Sequence, residues 1–154
     1  AEEAGAVDES FGLGGVATFD LTPGNDYASG CAVAANGDVL TLVNLNGGMG
    51  LAVLRLDDHG ALVDGFGDAG VAEVATLAVN SSFDGNIIER ADGSILAAYV
   101  DGTVAKVTGL EATGDRLADF GQADETASLQ PGGAALFVSM TQDGAGAAFV
   151  TVGL

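Results

Sequence analysis

An all-β fold of about three repeated four-stranded antiparallel units is what this 154-residue sequence predicts, and three observations lead there. Phe-Gly pairs stand at Phe11-Gly12, Phe66-Gly67 and Phe120-Gly121, spaced by 55 and 54 residues. Midway through each interval sits a pair suited to a tight turn: Asn36-Gly37, Asp92-Gly93 and Asp143-Gly144. The 25 glycines against 2 prolines fit many short strands joined by turns. A fixed period of this length is the signature of stacked supersecondary units, none of which buries its apolar face alone.

Alternation at period two gives four strands in the first unit, at residues 16–21, 29–34, 39–44 and 50–56. Asn36-Gly37 joins the second to the third, because both central residues of the favoured hairpin turn need positive φ. Asn46-Gly47-Gly48 turns the third into the fourth, and Asp57-Asp58-His59-Gly60 returns the chain to the next Phe-Gly.

The second unit replays this at 71–77, 85–89, 95–100 and 103–107, with a longer return loop at 108–119. In the third, 134–140 and 147–152 read as strands. The first strand is eroded around Ala123-Asp124-Glu125-Thr126, and no fourth strand is seen. Residues 1–154 thus read as one repeat domain of about eleven strands, with units at about 11–65, 66–119 and 120–154. The Ala-rich stretches alternate with β-branched residues and lack caps, so no helix is expected. The alternative architecture for such a strand set is a β-sandwich.

These residues resemble the delta-sixty repeat family of bacterial β-propellers. Phe11-Gly12-Leu13-Gly14-Gly15-Val16 and Phe66-Gly67-Asp68-Ala69-Gly70-Val71 match the start of that family's unit. The stretch from Leu54-Arg55-Leu56 through Asp57-Asp58-His59-Gly60 to Asp64 matches its closing segment, and Ala105-Lys106-Val107 stands where its Arg-bearing strand is expected. The third Phe-Gly lacks the trailing Gly, and the hairpin turns read Ala-Asn-Gly and Ala-Asp-Gly where the family favours Gln-Pro-Asp-Gly. The resemblance implies a propeller-like stack of four-stranded blades, here an incomplete ring. It implies no reaction, since propellers host many functions. Complete rings carry four to eight blades, so the apolar blade faces of this chain are expected to need a cover. Further copies of the chain, or a protein partner, would supply it.

Charge narrows the function classes. Twenty-two acidic residues face four basic ones, a net charge of −18 that repels nucleic-acid phosphates and anionic membrane surfaces. No apolar run is long enough to span a membrane as a helix. The start, Ala1-Glu2-Glu3-Ala4-Gly5, resembles a mature end left after signal cleavage, which with the low Lys content predicts an extracellular or periplasmic protein. The lone Cys31 cannot form an internal disulfide, and its small apolar neighbours predict a buried, inert thiol.

Catalytic resources are thin. His59, between Asp57-Asp58 and Gly60, reads as an exposed turn residue rather than a general base, and Ser29 and Ser139 lack nucleophile-elbow spacing. No cofactor is expected. Asp57, Asp58, Asp64 and Asp68 are the candidate ligands for a Ca²⁺ ion, although no EF-hand or nonapeptide calcium repeat is present. Asp119, Asp124 and Glu125 bracket the third Phe-Gly similarly. Residues 12–15 and Gly47-Gly48 precede no helix and carry no Lys, so they are turns rather than phosphate cradles. Phe11, Phe66 and Phe120 are expected to plug the layers between units, and Arg55 and Lys106 to form recurring structural ion pairs. Asn80-Ser81-Ser82 is a glycosylation-type triplet. A non-enzymatic interaction or structural subunit of a larger assembly is the expected function. A small-ligand, glycan or cation-binding module is the alternative, and a hydrolase or lyase has least support.

Overall fold

A computed structural model of the protein describes residues 5–77, 84–121, 125–129 and 132–153. The glycosylation-type triplet and Asp124 lie outside them. The described residues form ten strands and no helix: β1 Tyr27–Val33, β2 Val39–Leu45, β3 Gly50–Leu56, β4 Val71–Thr76, β5 Gly85–Glu89, β6 Ile95–Asp101, β7 Val104–Leu110, β8 Thr126–Leu129, β9 Phe137–Gln142 and β10 Ala148–Gly153. All pairings are antiparallel, within sheets of order β1-β2-β3-β4, β5-β6-β7-β8 and β10-β9.

Each four-stranded sheet ends in a strand that lies beyond the next Phe-Gly pair. β4 follows Phe66-Gly67 and adds to β3; β8 follows Phe120-Gly121 and adds to β7. The sheet boundaries therefore fall one strand after the sequence markers. This explains the main departure from the sequence reading. Residues 16–21 alternate as a strand should, yet apart from the single bridge Gly12↔Val16 they join no ladder. The segment that follows the next Phe-Gly, β4, adds to the edge of the sheet before it, whereas no sheet precedes β1 among the described residues. In 16–21 the side chains Phe19 and Leu21 instead fold onto the face of β2–β3 carrying Val43, Leu54 and Leu56. The strand count falls to ten, and Thr126–Leu129, read as eroded, is a real four-residue strand.

Period-two burial builds the layers. Leu40 and Leu42 of β2 and Leu51 and Val53 of β3 face Ile95, Ala97 and Tyr99 of β6, with Phe66 sealed among them. From the other side of β6, Leu96, Ala98 and Val100 meet Val138 and Met140 of β9, with Val150, Val152 and Phe120 packed at the margin. The edge strands β1, β5 and β9 lie beside one another along one side of the stack. Burying one large aliphatic side chain contributes about 1.5–3 kcal/mol, so these layers dominate stability.

Turn chemistry repeats with the layers. Leu13 and Asp68 donate their N–H groups to the Val16 and Val71 carbonyls (2.9 and 2.8 Å). A Cβ on Gly12 or Gly67 would lie 2.2 Å from those same carbonyl oxygens, and both residues have positive φ, so glycine is required at each. Gly12 N donates to the His59 carbonyl (2.8 Å), and Gly67 N to the Thr113 carbonyl (2.7 Å), pinning each Phe-Gly turn to a later return loop.

Register corrects one expectation. Leu40 pairs with Arg55, whereas Leu96 pairs with Gly109 and Tyr99 with Lys106. Arg55 and Lys106 therefore occupy different positions. Where Arg55 stands over the Phe66 ring (6.0 Å), Gly109 leaves its space to the Phe120 ring and Leu117. Cys31 is exposed rather than buried: small residues on an edge strand leave it uncovered.

Candidate functional site

The candidate sites are the acidic return loop, the ion-pair cluster around Arg55, and two apolar surfaces, one partly covered by residues 16–21 and one exposed on β9–β10. In the return loop, Asp57 Oδ1 accepts the backbone N–H groups of His59 and Ala61, both at 2.9 Å. His59 Nδ1 lies 2.5 Å from Asp58 Oδ1, with both side chains exposed. One ligand atom from each of Asp57, Asp58 and His59 falls within 4.8 Å of the others. Asp64 and Asp68 are exposed on the second Phe-Gly turn and do not join that group.

The Asp57 arrangement has a counterpart without a histidine. Asp143 Oδ1 accepts the Ala145 and Ala147 N–H groups, again both at 2.9 Å. Forming this turn is thus what the carboxylate does. The loop offers three side-chain donors where Ca²⁺ takes six to eight oxygens. No hydrogen bond joins His59 to Ser29 or Ser139; Ser29 Oγ donates to the Leu42 carbonyl (3.2 Å), and Ser139 is exposed on β9. Asp119 and Glu125 take positive φ at the third Phe-Gly turn.

All four basic side chains are engaged within the fold. Arg55 Nε donates to Asp38 Oδ2 (2.7 Å), Nη2 lies 4.0 Å from Glu89, and Nη1 donates to the Ala112 carbonyl (3.3 Å), bridging the first two sheets. Glu89 also accepts the Ala35 N–H at 2.6 Å. Burial works against ionisation of Asp38, but the hydrogen bonds from Arg55 and Asn36 and the adjacent positive charge outweigh it, holding the carboxyl below its ordinary value. Lys106 pairs with Asp101 (2.8 Å), Arg90 approaches Asp92 (3.7 Å), and Arg116 Nη2 donates to the Val74 carbonyl.

Sequence reasoning missed Asp26. Its Oδ2 accepts the Leu21 and Thr22 N–H groups at 3.0 Å each, while Oδ1 accepts Thr22 Oγ1 (2.7 Å) and the Asn46 N–H (3.0 Å). The Asn46 bond, with those from Thr22 and Leu21, outweighs desolvation and holds the carboxyl below its ordinary value. Asp26 knots the end of the 16–21 segment to the β2–β3 turn. A threonine four residues before an aspartate around Pro23-Gly24 is the only local signal for it.

The apolar surfaces are the larger features. A cleft of about 310 Å³ opens on the β2–β3 face, lined by Phe11, Phe19, Leu21, Val39, Thr41 and Val43. At the opposite end, β9–β10 turn Phe137 and Phe149 outward beside Leu136, all exposed. No family model, curated protein or solved structure matches this chain.

Proposed function

We propose that the protein is a non-enzymatic, propeller-type stacking module: repeated sheets pile face to face, and the open faces bind protein. The observation that carries this is the fate of one position in three hairpins. Each turn is closed by the same backbone bond, Ala34 N to Asp38 O, Arg90 N to Ser94 O and Asp143 N to Ala147 O. The second residue after it is Leu40, Leu96 and Phe149 in turn. Leu40 is 0% exposed and Leu96 4%, each beneath a following sheet; Phe149 is 55% exposed.

A large aromatic at a position buried twice elsewhere argues for a face that functions covered. Exposed aromatic surface is the composition of interface cores. The alignment of β1, β5 and β9 along one side favours radial, propeller-like stacking over a two-layer sandwich. Engagement of every basic side chain within the fold favours an interaction role over catalysis on an anionic substrate.

The test uses Nile red, a neutral dye that the −18 charge does not repel, at concentrations where the chain sediments as a monomer. Wild type should enhance its emission, and the Phe137→Ser/Phe149→Ser double variant should lose most of that enhancement while keeping its strand circular dichroism. Equal dye binding by both proteins would remove the reading.

A further inference from the structure

We infer that the occupant of both open faces is a second copy of this chain, stacked head to tail: the β9–β10 face of one molecule enters the Phe11–Phe19 cleft of the next. This rests on the stacking reading above and names its partner. The joint between the first two sheets has two halves. One is the trailing face of β2–β3, with Leu40, Leu42 and Val53; the other is the leading face of β6, with Ile95, Ala97 and Tyr99, plus Phe66. At the same registers, β2 presents Val39, Thr41 and Val43 on its leading face, with Phe11 beside them. β10 presents Phe149 and Thr151 on its trailing face. One molecule thus carries at opposite ends the leading half of this joint and a narrower, two-strand version of the trailing half that lacks the β3 residues, and the intermolecular contact continues the β2 part of an interface already formed between its own sheets.

The segment at 16–21 fits this arrangement. Its counterpart β4 adds to the edge of the preceding sheet, whereas 16–21 has no such sheet among the described residues and lies over the cleft. Among the described residues β10 is paired on the β9 side only, and its sequence Ala-Phe-Val-Thr-Val-Gly carries no charge and no proline to block strand addition. The joint residues are uncharged except Asp26, whose carboxylate is filled by the donors named above. The opposing term is like-charge repulsion between copies of net charge −18, which salt screens. A head-to-tail joint is heterologous, so it closes into a ring or continues as a filament.

Sedimentation of the full chain from low micromolar to several hundred micromolar tests this. Wild type should shift from 15.1 kDa to multiples of that mass, more strongly in molar than in dilute sodium chloride. Phe149→Asp and Thr41→Asp should each weaken association about tenfold or more, as loss of one central interface side chain does. Mixed in equal amounts, they should recover a two-copy species, since each keeps the face that the other lacks. Phe19→Ser replaces Thr41→Asp if the latter fails to fold. A wild type that stays monomeric in high salt, or a mixture that shows no recovery, overturns the inference. If that monomer still shows the Phe149-dependent Nile red signal, only the second-copy partner falls; if the signal is missing as well, the stacking reading falls with it.

Discussion

The layer between the first two sheets and the layer between β6–β7 and β9–β10 are built on one plan but closed to different degrees. In the first, four strands face four, and Phe66, Leu40, Leu42, Leu51 and Val53 are fully buried. Arg55 clasps its margin through Asp38, Glu89 and the Ala112 carbonyl. In the second, four strands face two, Phe120 is half-buried, and an apolar cleft of about 400 Å³ remains between Leu96, Phe120, Met140 and Val150. Its cross-ties are neutral: Gln142 Nε2 to the Glu89 carbonyl (2.8 Å) and Ala135 N to the Thr103 carbonyl (2.9 Å). The same side-chain plan yields a sealed layer only where the facing sheet is wide enough to cover it.

The largest expected difference is between the two plugs. Phe66→Ala should cost about 3–5 kcal/mol in urea unfolding, the usual loss for a fully buried aromatic. Phe120→Ala should cost about 1–2 kcal/mol, because solvent already reaches its ring and its neighbours can close on the space. Equal losses would mean that the second layer is as tight as the first.

How much of this was legible in the sequence differs strand by strand. β2, β3, β5 and β6 were readable as short apolar runs next to Gly-containing turns, β3 and β6 being buried on both faces and so without polar–apolar alternation. Residues 16–21 misled for a physical reason: their pattern matches that of β4, but a strand exists only beside a partner edge, and pattern says nothing about the partner. Cys31 misled similarly, since small apolar residues suit an edge strand as well as a core. Arg55 and Lys106 each form an ion pair as expected, but at different positions, because the β2–β3 and β6–β7 loops differ in length and shift the register that only ladder bonds define. The recurrence of Phe11, Phe66 and Phe120 was legible from spacing alone. The knot at Asp26 leaves only the Thr22–Asp26 spacing as a trace, since its tie to Asn46 is distant in sequence, and the clasp of Asp38 by Arg55 leaves none.

The clasp makes a smaller, pH-dependent prediction. Asp38 has a lowered carboxyl pKa, so its contribution is complete above the ordinary carboxylate value of about 4 and is lost as pH falls through the lowered one. Arg55→Met should cost about 1–2 kcal/mol at neutral pH, between the values for exposed and fully buried pairs. It should also flatten the fall in stability below pH of about 4. Hydrogen exchange places the effect: β2, β3 and β6 should lose protection while β9 and β10 change little. Loss spread evenly over both layers would show that Arg55 does not act on the first layer in particular.

The smallest effect comes from twin turns, Asp57 after β3 and Asp143 after β9. Each carboxylate accepts two backbone N–H groups at 2.9 Å, so the local chemistry removed by Asp57→Ala and Asp143→Ala is the same. Capping-type bonds of this kind are worth about 0.5–2 kcal/mol. In the sealed region that loss should lower global stability, because the turn after β3 opens only with the sheet. In the loose region it should increase local opening of the β9–β10 hairpin, read as faster exchange there, with the global midpoint unmoved. His59→Ala is the control, since an exposed ring bonded to an exposed carboxylate contributes little, and its midpoint should match wild type. If Asp143→Ala lowers the global midpoint as far as Asp57→Ala does, the two layers unfold as one unit and the difference between them is one of shape alone.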